Sequence, residues 1–446
     1  MTTASEALAQ FLGALDIDRV EPALVSKAKD HLLDTIGVAC AGIGQPQARA
    51  TTALVQHWGG VPEAGVIGLR LRLPAPKAAF VNALHARIHT FDDTHEIGPV
   101  HPGSAVVAAA LCVAETAVIS GRALLAALIA GYEAATRLSM ALGARHYATG
   151  FQTTGTCAPF GAVAAAARAR GLDAARTMAA IGLAGQAAIG LRQYQVDGSM
   201  LDTALAGARG AEAGVAAVEM ASRGLAGAGG ILDGRWGMLR VMSGEAPERL
   251  AADLGKRWEF AATAIKPYAS CRFTHGPIAA LKAAKLDHRQ VEAVEIATFR
   301  ASFEVSDRPR PRDRAEAILS HQVAAALALH GRPILPSDFD ALDGDVLALS
   351  KRVSVRHDPE LDAAYPACWP HRIVVSMKGG ARLMLDSAQP PSADRSATLA
   401  KFRALAAPVL GASNAERMIT LVAEMESLVN PRPLLRLLST ERAEAA

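Results

Sequence analysis

The chain has 446 residues, 51% of them apolar and only 4% aromatic, with a formal net charge of +3. That length holds two or three domains of roughly 100–200 residues each and a sizeable core. A near-neutral balance with no run of lysine and arginine interleaved with aromatics excludes a nucleic-acid partner, and the abundance of alanine in place of rings favours packed helices over a β-sandwich.

The N-terminus, MTTASEALAQFLGALDIDRV, has neither a basic region nor an apolar core, so no secretory signal is expected. From Ser5 to about Gly44 the apolar residues recur at helical spacing and predict two amphipathic helices. A short irregular stretch leads to a helix opening around Pro76, a residue tolerated in a first turn, which carries His85 and His89 toward a polar loop. Between Ser104 and Leu191 come four alanine- and leucine-rich stretches, 105–119, 121–142, 160–170 and 173–191, apolar on nearly every face as central helices of a bundle must be. The stretch 105–114 is too short to span a bilayer, which takes about 20 residues. A further helix is expected from Leu205 to Ser222, then a glycine-rich loop that follows no strand and does not fit a dinucleotide fingerprint.

Around Phe260 the pattern changes. VEAVEIATF and KRVSVRHDPELDA alternate like strands, RIVVSMKGGARLMLDS reads as a hairpin turning at Gly379 and Gly380, and Arg314 to Leu329 reads as a helix. Helical periodicity returns from Ser392 to the end. The expected fold is mainly α: a large all-α helical-bundle domain, residues 1–262 and 393–446, with a smaller α+β lid domain, 263–392, inserted in it. The five cysteines, Cys40, Cys112, Cys157, Cys271 and Cys368, form no close pairs. They fit a reduced compartment, here the cytoplasm, and lack the clustering of an iron–sulfur or structural zinc site.

Four segments concentrate ionisable groups in apolar surroundings. The first, HARIHTFDDTHEIGPVHPGS, contains Asp93, Thr94 and His101. His85 and His89, one helical turn apart with carboxylates following, allow a metal, but no zincin glutamate is present and none is assigned; capping of helices explains the polar residues equally well. The preferred reading is a loop-borne acid/base centre at His101, held by Pro102. The second segment places Arg145, His146 and Tyr147 before Thr153, Thr154 and Thr156, where a helix opening could meet an anion or merely be capped. The third offers Arg192, Tyr194, Asp197, Asp202 and Arg209, either at a site or on a solvated loop. The fourth, KPYASCRFTHG, supplies Lys266, Arg272 and His275 at the change of domain, suited to hold a carboxylate and to stabilise enolate-like charge.

The pieces DTIGVACAG, FDDTHEIGPVHPGSAV, GYEAATRLSMALG, TGFQTTGTCAPFGAVAAAARARGLD, KPYASCRFTHGPI and DPELDAAYPACWPHRIVV resemble the MmgE/PrpD family along nearly the whole chain. That resemblance implies a helical domain with an α+β lid, a homodimer and no cofactor. It places the family's loop histidine on His101, the neighbouring acidic and hydroxyl positions on Asp93 and Thr94, and the lid-junction set on Lys266, Tyr268, Cys271, Arg272 and His275. The chain departs from it at Gln152, where many members have histidine, and at Asp202 and Leu205, where many have lysine and histidine. Glutamine is no general base, and the loss of that lysine removes a carboxylate anchor.

The resulting expectation is a cofactor-independent lyase or isomerase, like 2-methylcitrate dehydratase, that abstracts a proton alpha to a carboxylate of a small di- or tricarboxylate. His101, Lys266, Tyr147 and His275 are the candidates for catalysis; Asp93, Thr94, His146, Gln152, Arg192, Tyr268, Cys271 and Arg272 are those for binding. An iminodisuccinate-type epimerase and a catalytically inactive ligand-binding dimer are the alternatives, and neither a nucleic acid nor a membrane is expected as a partner.

Overall fold

The computed structural model describes residues 2–197, 199–242 and 247–439; residues 1, 198, 243–246 and 440–446, which the expected helical domain includes, lie outside the described ones. Helix accounts for 61% of the chain and strand for 9%, so the fold is mainly α. Among the described residues no helix is long and apolar enough to cross a membrane. All five cysteines are free thiols.

Six helices position the site from the N-terminal side: α1 (Pro22–Gly42), α2 (Ala75–Arg87), α3 (Gly103–Thr116), α4 (Gly121–Ala148), α5 (Thr153–Arg170) and α6 (Met200–Ser222). α5 packs against α3, α4 and α6, and α6 also packs against α2. These are the alanine-rich stretches anticipated from sequence, and small side chains are what let the axes approach. At the crossing of α4 and α5, a Cβ on Gly131 would sit 2.6 Å from Val106 Cγ1, 2.8 Å from Ala165 Cβ and 2.9 Å from the carbonyl oxygen of Gly161.

Several boundaries differ from the sequence reading, each for a local reason. α4 runs past Leu142, but Gly143 at φ 70° breaks its geometry and redirects the last turn, which carries His146 and Tyr147. α6 starts at Met200 rather than Leu205, with Asp202 in a first turn whose free N–H groups favour an acidic side chain. The single helix expected over Arg314–Leu329 is two, Arg314–Leu319 and His321–Leu329, because Ser320 is extended and its hydroxyl caps Val323 N–H. A helix at Pro46–Trp58, not anticipated, is closed by Gly59 at φ 71°.

The segment expected as a lid, residues 263–392, carries a four-stranded sheet: β1 (Val291–Thr298), β2 (Val353–His357), β3 (His371–Met377) and β4 (Arg382–Ser387), in the order β2-β1-β3-β4. β1 and β2 are parallel and the rest antiparallel; β3 and β4 form the expected hairpin, with Gly379 and Gly380 at positive φ in its turn. The helices α7 (His275–Ala283) and α8 (His321–Leu329) pack on each other and against this sheet. The last long helix, α9 (Arg395–Leu410), returns to lie on α1. A two-residue antiparallel ladder matters more to the site than the sheet does: Thr94 pairs with Ala264 and His95 with Thr263. It ties the first polar loop to the chain entering the lid, just before Lys266.

The α4–α5 crossing yields a stability prediction. Gly131→Ala gains about 1 kcal/mol of helix propensity, but overpacking against a backbone carbonyl costs about 1–3 kcal/mol, so a net loss of about 1 kcal/mol is expected. Gly344→Ala, whose Cβ would meet nothing within 4 Å, is expected to be neutral or slightly stabilising. Denaturant unfolding compares them, and equal stability would contradict the close crossing.

Candidate active site

The loop between α2 and α3 carries His101, and a buried carboxylate organises it. Asp93 is 0% exposed. Its Oδ1 accepts Gly103 N–H at 2.9 Å, and its Oδ2 accepts the hydroxyl of Tyr132 at 2.7 Å and Nδ1–H of His31 at 2.6 Å. Burial pushes this carboxyl's pKa up, but His31, Tyr132 and Gly103 together outweigh burial and hold it below the usual value. The backbone carbonyl of the same residue faces the imidazole of His101, 2.8 Å from Nδ1, with Thr94 Oγ at 2.7 Å. A carbonyl only accepts, so Nδ1 carries the proton and the lone pair of Nε2 is left for the cavity. Thr154, in the first turn of α5, accepts the backbone N–H of His101 at 3.0 Å. Burial, with the charges of Arg87 and Lys266, lowers the His101 pKa well below the ordinary imidazole value, which keeps the ring neutral at pH 7.

The second wall is the chain after the ladder. Lys266 is 0% exposed, and its Nζ donates to the carbonyl of Thr90 at 2.7 Å. Burial is the largest influence on it and lowers its pKa to about 8. Behind it, Lys401 on α9 pairs with Asp34 at 2.7 Å and donates to the carbonyls of Lys266 and Phe91 at 3.0 and 2.9 Å. Arg272 does not present an open fork. Its Nε and Nη2 bind Glu96, while Nη1 and Nη2 donate to the carbonyls of Pro391 and Pro390.

These elements enclose a cavity of about 780 Å³, the open space at its mouth included. Of the residues singled out in the sequence, His101, Lys266, Tyr147, Thr94, Gln152, Cys271 and Arg272 line it. Asp93, His275, Tyr268, His146 and Arg192 do not, and each has a structural reason. Asp93 stands behind His101, as described. His275 is buried behind Arg272, whose Nη1 donates to its Nδ1 at 3.1 Å. Burial and that cation keep it neutral, so it adds no positive charge. Tyr268 lies against the His275 ring at 5.2 Å. His146 stacks on Phe151 at 4.7 Å and contacts the Thr156 hydroxyl at 2.9 Å. Arg192 lies over the Tyr147 ring at 3.7 Å and donates to the Tyr147 carbonyl and to Gln195. It backs the phenol rather than meeting a ligand.

Gln152 has a local task in place of base chemistry: it is the N-cap of α5 and its Oε1 accepts Gly155 N–H. Asp202 and Leu205 lie outside the cavity, on an adjoining groove. The histidines that suggested a metal are engaged elsewhere. His85 contacts the Thr52 hydroxyl at 2.9 Å, and His89 contacts Arg314 at 2.7 Å and the Ala41 carbonyl at 3.0 Å.

Sequence reading missed part of the lining. Arg87, 1% exposed, pairs with Asp92 at 2.7 Å and donates to the Thr203 carbonyl at 2.9 Å. The hydroxyls of Thr90, Thr153 and Thr203 are buried at the cavity without a partner among the described residues. A charged residue inside the apolar run FVNALHAR, with Asp92 five positions on, was the available signal for Arg87. From the lid, Phe273, Tyr365 and Trp369 supply an aromatic wall. In a chain with 4% aromatics, the cluster in AYPACW was its cue.

The site is thus an enclosure with two neutral imidazoles, His101 and His95, a buried ammonium, two further guanidiniums and free hydroxyls, without a carboxylate among its lining residues. Two family models match the chain, the MmgE/PrpD N-terminal domain over residues 6–250 and the MmgE/PrpD C-terminal domain over residues 268–427. The chain is 26% identical to a cis-aconitate decarboxylase-like protein of Aspergillus oryzae, over 94% of this chain and 93% of the relative. It is 25% identical to a cis-aconitate decarboxylase of Aspergillus terreus, over 95% of this chain and 94% of the relative. With the cis-aconitate decarboxylase of Mus musculus it shares 25% identity, over 98% and 94%. The chain, in its fold and along most of its sequence, belongs to the MmgE/PrpD family.

Proposed function

We propose that the chain is a lyase of this family that makes or breaks a bond at the carbon next to a carboxylate, using its own side chains as acid and base. The observation that carries the reading is the pairing of unlike groups in one enclosure: His101 with Nδ1–H anchored and Nε2 touched only by the Thr94 hydroxyl at 3.5 Å, and Lys266 charged and buried. In an elimination, Nε2 of His101 takes the proton from the carbon alpha to the carboxylate. The electron pair left behind spreads into the carboxylate oxygens, facing the Lys266 ammonium, and then expels the group on the next carbon. That group departs with a proton from Tyr147, whose pKa is raised by burial and which therefore holds its hydrogen until the bond breaks.

The relatives' names favour a second use of the same groups. In a decarboxylation the bond to carbon dioxide breaks and the carbon left behind takes a proton, so an acid poised near neutrality is needed, a role the Lys266 ammonium fits. Epimerisation calls for two bases on opposite faces of one carbon; His275, expected as a partner, sits behind Arg272, and among the lining residues His95 is the second neutral imidazole.

Incubation in deuterium oxide with hydroxy- and unsaturated carboxylates, cis-aconitate among them, followed by proton NMR, tests the reading. Loss of water or of carbon dioxide with deuterium at the adjoining carbon is expected. Label without change of connectivity means an epimerase, and no label in any acid sinks the proposal. His101→Ala is expected to retain the parent melting temperature and to lose about two to four orders of magnitude in rate, the usual worth of a general acid/base; an unaltered rate removes His101 from the reaction. The pH profile of kcat/KM follows from the two titrations. His101 must be neutral, so the acid limb lies below pH 6.5. Lys266 must be charged, so activity falls as pH rises through about 8. Lys266→Arg, charged at every working pH, is expected to lack the alkaline limb; a limb persisting near pH 8 in that variant assigns it to another group.

A further inference from the structure

The cations of the cavity are not all available. Arg87 is paired with Asp92 at 2.7 Å, and Arg272 with Glu96. Among the described residues Lys266 has no carboxylate at ion-pair distance, and its Nζ donates to a backbone carbonyl. The lining therefore leaves one uncompensated positive charge. One substrate carboxylate is neutralised there, whereas a second would meet no free cation in the cavity, only the hydroxyls of Thr90, Thr153 and Thr203.

Past Gln152 and Tyr194, which line both spaces, the cavity gives onto a groove of about 1580 Å³, open solvent included. Its chemistry is the reverse. Asp197, Asp202 and Glu212 line it; Glu212 is held between Arg209, the groove's one cation, at 3.3 Å and Lys77 at 2.6 Å, so Asp197 and Asp202 are the carboxylates without an ion pair among the described residues. Leu205 lines the same groove, as do the side chains of Ile189 and Leu191, 67% and 62% exposed. The apolar surface begins where the cationic one ends: Gln152 N–H donates to the carbonyl of Gly190 at 3.0 Å, so the two walls share one piece of backbone. Such a groove repels a second carboxylate and rewards an alkyl chain.

We infer that the substrate carries a single carboxylate and an uncharged apolar chain of several carbons, the carboxylate in the cavity and the chain along the groove of Ile189, Leu191 and Leu205. This narrows the acid of the preceding reading and rests on the cavity being a carboxylate site. It also gives the departures at Asp202 and Leu205 a common meaning, since both face the chain and neither faces the reacting carbon.

Titration calorimetry with a series of 2-hydroxyalkanoates, from lactate to 2-hydroxydecanoate, and with tricarballylate tests the inference. The affinity is expected to rise about fourfold for each fully buried methylene until the groove is filled, and tricarballylate to bind more weakly than the longer members. Ala206→Trp, which fills the groove away from the cavity, is expected to bring the long acids down to the affinity of lactate and to leave lactate unchanged. A flat series with lactate still bound, or tricarballylate as the tightest ligand, overturns the inference alone. So does a flat series in a protein that sediments as a dimer and becomes a monomer on Leu191→Asp, because a second copy of the chain then covers the groove. Binding of none of these acids overturns the carboxylate reading of the cavity, and this one with it.

Discussion

The buried carboxylate of Asp93 is the interaction on which the arrangement of the site depends. It joins three helices through single atoms: His31 of α1, Tyr132 of α4 and the first N–H of α3. A carboxylate wholly removed from water is tolerated only when its lone pairs are filled, since stranding such a charge costs about 3–5 kcal/mol. The loop is held to one position for that reason, and the carbonyl of the same residue then dictates which nitrogen of His101 carries the proton. Structure and chemistry meet in one residue that never touches the cavity.

The return of the chain braces the opposite wall. Lys401 reaches from α9 to Asp34 on α1, to the carbonyl of Phe91 in the His101 loop and to that of Lys266. With the short ladder between Thr94–His95 and Thr263–Ala264, this puts His101 and Lys266, the proposed base and cation, on backbone segments that are hydrogen-bonded to one another rather than on separately mobile arms. Positioning of that quality is what general acid/base chemistry requires, since small displacements of the reacting groups cost large factors in rate.

Enclosure also sets the protonation states. Burial disfavours charge on both groups, but it acts on different starting points. An imidazole that loses affinity for its proton becomes a permanent neutral acceptor at pH 7, whereas an ammonium drawn down to about 8 remains charged and becomes a usable acid. Asp92 and Glu96 neutralise Arg87 and Arg272, so the field at Lys266 is not swamped by its cationic neighbours.

Periodicity and composition alone determined much of this protein: the alanine-rich helices, the hairpin at Gly379 and Gly380, the helix opening at Pro76 and the polarity of the His101 loop are local properties, set by the spacing of apolar residues and by turn chemistry. His101, Lys266 and Arg272 were legible because charge in apolar surroundings is conspicuous wherever it occurs. Which of the candidates share the cavity was not legible. His275, His146 and Arg192 have the same residue types as true lining groups and turn out to back them, while Arg87 and the hydroxyls of Thr90, Thr153 and Thr203 line the enclosure from positions that look like ordinary helix and loop. The direction of a side chain follows from packing between segments more than a hundred residues apart, as in the contact of Lys266 with Thr90. Burial and hydrogen-bond partners, and with them every pKa, are properties of that packing, so tertiary structure alone decided them.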